Sequence, residues 1–169
     1  MLLGVRPRGF TLLELLIVLA IVAIMSTIAL PSFTHHLASY TNQKTARQLL
    51  SAVMLARGYA QVHHKPFSLC PWSAATQACA GVYSEGFAVV SAEGVLEREF
   101  ATSSKVRIVN RSGSRQASER FQWDGRGIGN RNATLAVCSG QPTSDNWSVV
   151  LNQLGRPRLV KNWATCGGE

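Results

Sequence analysis

The chain has 169 residues, 46% of them apolar, with 17 basic residues against nine acidic ones and a net charge of +8. That balance excludes a disordered or collagen-like chain and leaves room for one ordinary domain beside a distinct N-terminal segment. The basic surplus, 13 arginines among the 17, fits an anionic partner such as nucleic acid, lipid or polysaccharide, and equally a basic extracytoplasmic domain without one.

Residues 1–9 form a short leader carrying Arg6 and Arg8. From Phe10 to Leu30 run 21 residues in which Glu14 is the only strongly polar one. At about 1.5 Å per residue, a helix over this stretch is roughly 30 Å long and can cross a bilayer core. Positive charge before it holds the leader in the cytoplasm and sends the remainder outward. A secretory signal peptide is the alternative, but the run is longer than such a core, and a carboxylate within it is costly without a partner. Cleavage before Phe10 supplies one, because the new α-ammonium lies within a helical turn of Glu14, in the same chain or a neighbouring copy.

Gly9-Phe10-Thr11-Leu12-Leu13-Glu14 and the apolar run behind it resemble the class III signal of type IV prepilins and type II secretion pseudopilins. The resemblance implies cleavage between Gly9 and Phe10 by prepilin peptidase, N-methylation of Phe10, and a Glu14 that neutralises a neighbouring N-terminus during filament assembly. It also implies a single-pass inner-membrane protein with a periplasmic C-terminal domain, later carried in a pilus at the cell surface among other pilin subunits.

Pro31 is expected to end or kink the helix where it leaves the membrane. Beyond it, Phe33, Leu37 and Tyr40, then Ala46, Leu49, Leu50 and Val53, recur at spacings of three and four. That period predicts an amphipathic continuation to about Gly58, with Asn42, Gln43, Lys44, Arg47 and Gln48 facing water or a neighbour. After Lys65-Pro66, short β-like runs separated by turn residues predict strands over 86–92, 95–101, 105–111, 119–123, 134–138, 147–151 and 158–163. The expected fold class is α+β, a long N-terminal helix whose second half packs on the antiparallel sheets of a small domain. By segment, the expectation is a leader over 1–9, a membrane helix over 10–31, its amphipathic continuation over 32–62 and a β-rich domain over 63–169.

Four cysteines allow three pairings. None has zinc-ligand spacing, and in an oxidising compartment two disulfides are expected, Cys70 with Cys79 and Cys138 with Cys166. The second bond would tie the C-terminal tail to a strand. His35-His36 and His63-His64 are adjacent pairs, and neighbours on a helix point about 100° apart, so no metal site is expected. No P-loop, Gly-x-Ser-x-Gly or dinucleotide fingerprint is present, and neither catalysis nor a cofactor is expected.

The later half carries two further motifs, Phe121-Gln122-Trp123-Asp124-Gly125-Arg126-Gly127 and Leu154-Gly155-Arg156-Pro157-Arg158. Their order behind a prepilin signal is similar to the GspH/FimT branch, in which an aromatic strand runs into an Arg-Gly turn and a Gly-Arg-x-Arg element follows near the end. Residues 64–118 match that branch only in general character. Gly155 permits a tight turn, Pro157 restricts the backbone, and Arg156 and Arg158, two apart on an extended segment, point the same way. Two such guanidinium forks can clamp successive phosphates, with Lys161 and Trp163 adding a cation and a stacking surface. In FimT-type minor pilins this element is associated with binding double-stranded DNA for natural transformation, which the resemblance carries to Arg156 and Arg158 in the turn begun by Gly155, with Lys161 an expected further contact. A structural turn into the last strand, in a non-binding minor pilin or a GspH-type pseudopilin of type II secretion, remains the alternative. Arg107, Arg111, Arg115, Arg126 and Arg131, with Lys105 and Arg120, form a second basic stretch that can extend a phosphate-tracking surface or simply be solvated.

Overall fold

The computed structural model describes residues 11–140 and 145–167, and of residues 28–32 it describes the backbone only. Gly9 and Phe10, and with them the expected cleavage point, lie outside the described residues. The helix α1 (Leu12–His63) starts at Thr11, whose hydroxyl accepts a hydrogen bond from the Glu14 backbone N–H at 3.2 Å. Glu14 thus sits in the first turn, where the exposed N–H groups favour negative charge.

From Leu12 to Met25 the large apolar side chains are exposed. The Ser26 and Thr27 hydroxyls donate to the carbonyls of Ala23 and Ile24 at 2.8 and 2.7 Å. Their polarity is therefore satisfied inside the helix, as apolar surroundings require. Among the described residues no helix is long and apolar enough to cross a membrane. The expected span, 10–31, includes Phe10 and the side chains of 28–31, which lie outside that description. Pro31 does not end the helix. It removes a single backbone bond from an element with long flanks on either side, and α1 continues through it. The helix also runs past Gly58 to His63, and His64 closes it in the left-handed region at φ 52°.

Eight strands follow: β1 (Phe67–Pro71), β2 (Gly86–Ser91), β3 (Leu96–Ala101), β4 (Val106–Val109), β5 (Phe121–Trp123), β6 (Ala133–Ser139), β7 (Trp147–Leu151) and β8 (Pro157–Lys161). They form two four-stranded antiparallel sheets, ordered β3-β2-β1-β5 and β4-β6-β7-β8. Each of the seven expected runs overlaps a strand, β6 reaching one residue past its run at both ends and β8 starting one residue before its run; β1 has no counterpart among them. It lies inside the first sheet and is buried along its whole length, so it lacks the alternation that marks a half-exposed strand.

Ala46, Leu49, Ala52, Val53, Ala56 and Ala60 of α1 meet the inner faces of both sheets. The alanines let the helix axis approach the strands, while Phe87, Phe121, Trp123 and Tyr83 supply the volume. Burial holds the Tyr83 phenol well above its usual pKa, so it stays a neutral donor beside the carbonyls of Leu69 and Glu119 at 3.1 and 3.0 Å.

Each sheet also has a small outer cluster under a disulfide-pinned segment. Cys70 bonds Cys79 over Trp72, Ala88 and Val90 on the first sheet. Cys138 bonds Cys166 on the second, holding the tail over Val109, Ala136 and Ala164.

Candidate nucleic-acid interface

The turn between β7 and β8 begins with Asn152, whose side-chain oxygen accepts from the Arg156 N–H at 2.8 Å and whose carbonyl accepts from the Gly155 N–H at 2.9 Å. Gly155 takes φ +68°, which closes the turn. Its carbonyl then accepts a hydrogen bond from the buried indole Nε1–H of Trp123 at 3.0 Å. Gly129 lies against it, donating its N–H to the Leu154 carbonyl at 3.1 Å. The two late sequence motifs therefore touch. The aromatic strand β5, at the edge of the first sheet, fastens the turn that carries the paired arginines of the second.

The turn after β5 is anchored in its own way. Asp124 accepts the N–H groups of Arg126 and Ile128 at 3.0 and 2.9 Å and pairs with the Arg126 guanidinium at 3.0 Å. Those N–H bonds, Ile128 first, hold its carboxyl below the usual value. Arg57 of α1 donates to the Gly127 carbonyl at 3.0 Å, fixing this turn to the helix.

A match to the type II transport protein GspH family model covers residues 45–155, well over half of the chain, and the prokaryotic N-terminal methylation motif matches residues 6–30. The chain belongs to the GspH family. This GspH-family chain is similar in fold to the type IV minor pilin FimU of Pseudomonas aeruginosa, with a TM-score of 0.58 and 18% identity over 75% of this chain and 95% of that one. It is also similar to the minor pseudopilin EpsH of the Vibrio cholerae type 2 secretion system, with a TM-score of 0.52 and 13% identity over 70% and 95% of the two chains. No curated protein sequence matched the chain. Its fold is thus pilin-like, and its sequence carries the N-terminal methylation motif ahead of the GspH domain.

On the outer face of the second sheet of this GspH-family domain, Arg158 pairs in register with Val150, which pairs with Thr134. Arg156 precedes β8 by one residue and is exposed, as is Arg158. Beyond β8 the tail turns back across this face. The Thr165 N–H donates to the Arg111 carbonyl at 3.1 Å, Asn146 Nδ2 to the Ala164 carbonyl at 3.1 Å, and the Arg107 guanidinium to the Gly167 carbonyl at 3.1 Å. With Ala164 buried, Trp163 points away from the sheet and stays 42% exposed. The Arg111 and Arg158 guanidinium carbons lie 5.0 and 5.5 Å from its ring centroid, within cation–π range. Arg111 and Arg158, far apart in sequence, thus share one aromatic ring. Among the described residues neither they nor Arg156 has a carboxylate partner.

The other expected cations are placed differently. Lys161 is three residues from Arg158, an odd spacing that turns it to the opposite face of the strand, where it pairs with Asp145 at 2.9 Å. That contact, then Asn162, holds the Asp145 carboxyl below its usual value. Arg115 and Arg131 converge on Glu119 at 3.5 and 2.9 Å. Arg126 is held by Asp124, and Arg107 by the tail carbonyl. Gly155 is bound into the Trp123 contact and offers no free surface. Sequence reasoning left Trp163 and Arg111 as peripheral, because what joins them to Arg158 is the return of the tail.

Proposed function

We propose that this GspH-family protein is a minor pilin of a type IV pilus that binds extracellular double-stranded DNA without sequence preference for natural transformation. Prepilin peptidase cuts between Gly9 and Phe10, and Phe10 is N-methylated. Residues 10–31 anchor the subunit in the inner membrane and later line the filament core with other pilin subunits, Glu14 meeting a neighbour's N-terminus. Residues 32–62 continue the helix, and 63–169 form the outward domain.

The observation that carries the DNA reading is the acid-free pair of Arg111 and Arg158 against the half-exposed Trp163, with the exposed Arg156 bordering the same cavity as Arg158. Guanidinium forks on a rigid strand and a pinned tail suit phosphate oxygens, and they carry no base-reading geometry. A site that neutralises three phosphates gives a slope of log K against log salt of about −2.7. Affinity per subunit is accordingly weak, and many copies or retraction supply the rest.

A second reading has its own support. The Trp123 bond to Gly155 gives half of the Gly-Arg-x-Arg element a structural purpose, as expected of a structural minor pilin or a type II secretion pseudopilin. Full-length protein in detergent, titrated against labelled duplexes of two unrelated sequences, separates the two. The DNA reading expects equal binding of both duplexes, loss with added salt, and at least a tenfold loss for Arg156→Gln with Arg158→Gln. An unchanged affinity in that variant, or no binding at low salt, leaves the structural reading standing. Sequencing of the mature N-terminus tests processing, and a start other than Phe10 refutes it.

A further inference from the structure

A second group of cations lies on the other side of the molecule. α1 packs over β1 and β2, and an open trough of about 580 Å³ remains between its 40–55 flank and the inner face of β3. Lys44 and Arg47 line it from the helix and Arg98 from β3, above the apolar surface of Tyr40, Leu55 and Phe100. Lys44, Arg47 and Arg98 have no carboxylate partner among the described residues. Arg98 lies 5.5 Å over the Phe100 ring, which holds it facing into the trough.

The complementary surface is on the back of the same strand. β3 bends at a register shift opposite Val89 and Val90, and Glu99 pairs with Ala88 of the outer cluster, so it faces away from the trough. Glu97 and Glu99 are exposed and without a cation partner among the described residues. Beside them Val95 is 58% and Leu96 37% exposed. An apolar pair followed by two carboxylates thus matches an apolar floor rimmed by three cations. Five extended residues, 95–99, reach about 17 Å, which fits within the helix flank from Tyr40 to Leu55, about 22 Å long.

The geometry points to a head-to-tail contact between copies of this chain, in which Val95–Glu99 of one subunit lies in the Lys44/Arg47/Arg98 trough of the next. Two different surfaces meet, so the contact does not close on itself and repeats into an open helical array, with all helices able to stay parallel. Charged residues and the bend along β3 discourage plain edge-to-edge strand addition, which leaves the trough as the route of contact. The inference rests on the filament-subunit part of the proposed function and is independent of DNA binding.

Zero-length carbodiimide coupling tests it, since it joins a lysine to a carboxylate only at ion-pair distance. Full-length protein, half of it 15N-labelled, is reconstituted in liposomes and coupled, and the cross-linked peptides are read by mass spectrometry. The expected product joins Lys44 to Glu97 or Glu99 with mixed isotope labels, which marks it as intermolecular, and it falls at least tenfold in high salt. Lys44→Glu with Arg47→Glu, or Glu97→Lys with Glu99→Lys, should each remove it, and mixing the two variants should restore coupling between the reversed charges. These side chains are exposed, so melting within about 2 °C of wild type is expected of both variants. Absence of the mixed-label product in wild type, or its persistence in either variant alone, overturns the contact. So does finding that Lys44→Glu with Arg47→Glu lowers DNA affinity while no interchain product forms. Arg156→Gln with Arg158→Gln should leave coupling unchanged, which keeps failure of the DNA reading distinct from failure of this one.

Discussion

Substituting Gly155 by alanine separates the structural share of the Gly-Arg-x-Arg element from its charge. Gly155 sits at φ +68°, where an L side chain costs roughly 1–2 kcal/mol. The new Cβ would overlap the Trp123 Nε1 and lie 2.7 and 2.9 Å from the Gly129 Cα and N. Those neighbours are a buried ring and backbone, which cannot swing aside, and overpacking of that kind costs about 1–3 kcal/mol. Displacing the turn also leaves the buried Trp123 N–H without its acceptor, for a further 1 kcal/mol or so. The total is on the order of 3–6 kcal/mol, which in a domain of this size lowers the melting temperature by about 10–20 °C. Replacing the exposed Arg156 and Arg158 with glutamine should move it by less than about 2 °C, since surface changes of this sort fall within about 0.5 kcal/mol. Thermal unfolding followed by circular dichroism compares the two directly. If Gly155→Ala melts within a few degrees of wild type, the Trp123–Gly155 contact does not hold the turn, and the structural account of the motif fails.

The helix and the fold class were legible because their signals are local. The spacing of Ala46, Leu49 and Val53 marks the buried face of α1, and seven of the eight strands overlap runs bounded by turn residues. β1 escaped because Phe67 and Leu69 face the main core while Cys70 faces the cluster under the first disulfide, so no polar face remained to betray a strand. At the candidate site, Arg156 and Arg158 border one cavity beside Val150, and the odd offset of Lys161 from Arg158 implies its opposite direction. The Arg111–Trp163–Arg158 cluster was not legible. It depends on the tail crossing the outer face of the second sheet, which in turn depends on Ala164 and Cys166 filling a cluster with Val109, Ala136 and Cys138. Cations elsewhere were overcounted, because charge composition does not say that Glu119 serves both Arg115 and Arg131 or that Asp124 holds Arg126.

Three further outcomes are expected. Trp163→Ala removes two cation–π contacts of about 0.5–1 kcal/mol each. It should lower the melting temperature by a few degrees and, because Arg111 and Arg158 lose the ring that holds them side by side, weaken DNA binding by up to about thirtyfold, measured by circular dichroism and anisotropy. Asp124 and Asp145 both have carboxyls held below the ordinary value of 3.8, so their contribution to stability is present above that value and is lost as the pH falls through the lower folded value. Asp124→Asn with Asp145→Asn should therefore melt lower than wild type at pH 7, converge with it as the pH falls below 3.8 through the lower folded values, and flatten the loss between. Finally, the Cys138–Cys166 bond closes a separation of 28 residues, a loop whose constraint stabilises by roughly 3–4 kcal/mol. Cys138→Ala with Cys166→Ala should lower the melting temperature by about 10 °C, and it should do more than that. The tail is otherwise held by single hydrogen bonds from Thr165, Asn146 and Arg107, each worth about 1 kcal/mol, so without the disulfide Trp163 leaves its place between the arginines. DNA affinity measured well below the new melting point should then fall to the level of Trp163→Ala, and adding Trp163→Ala to the double variant should cost nothing further. Full affinity in the double cysteine variant would mean that the tail is positioned without the bond and that the disulfide has no part in building the basic surface.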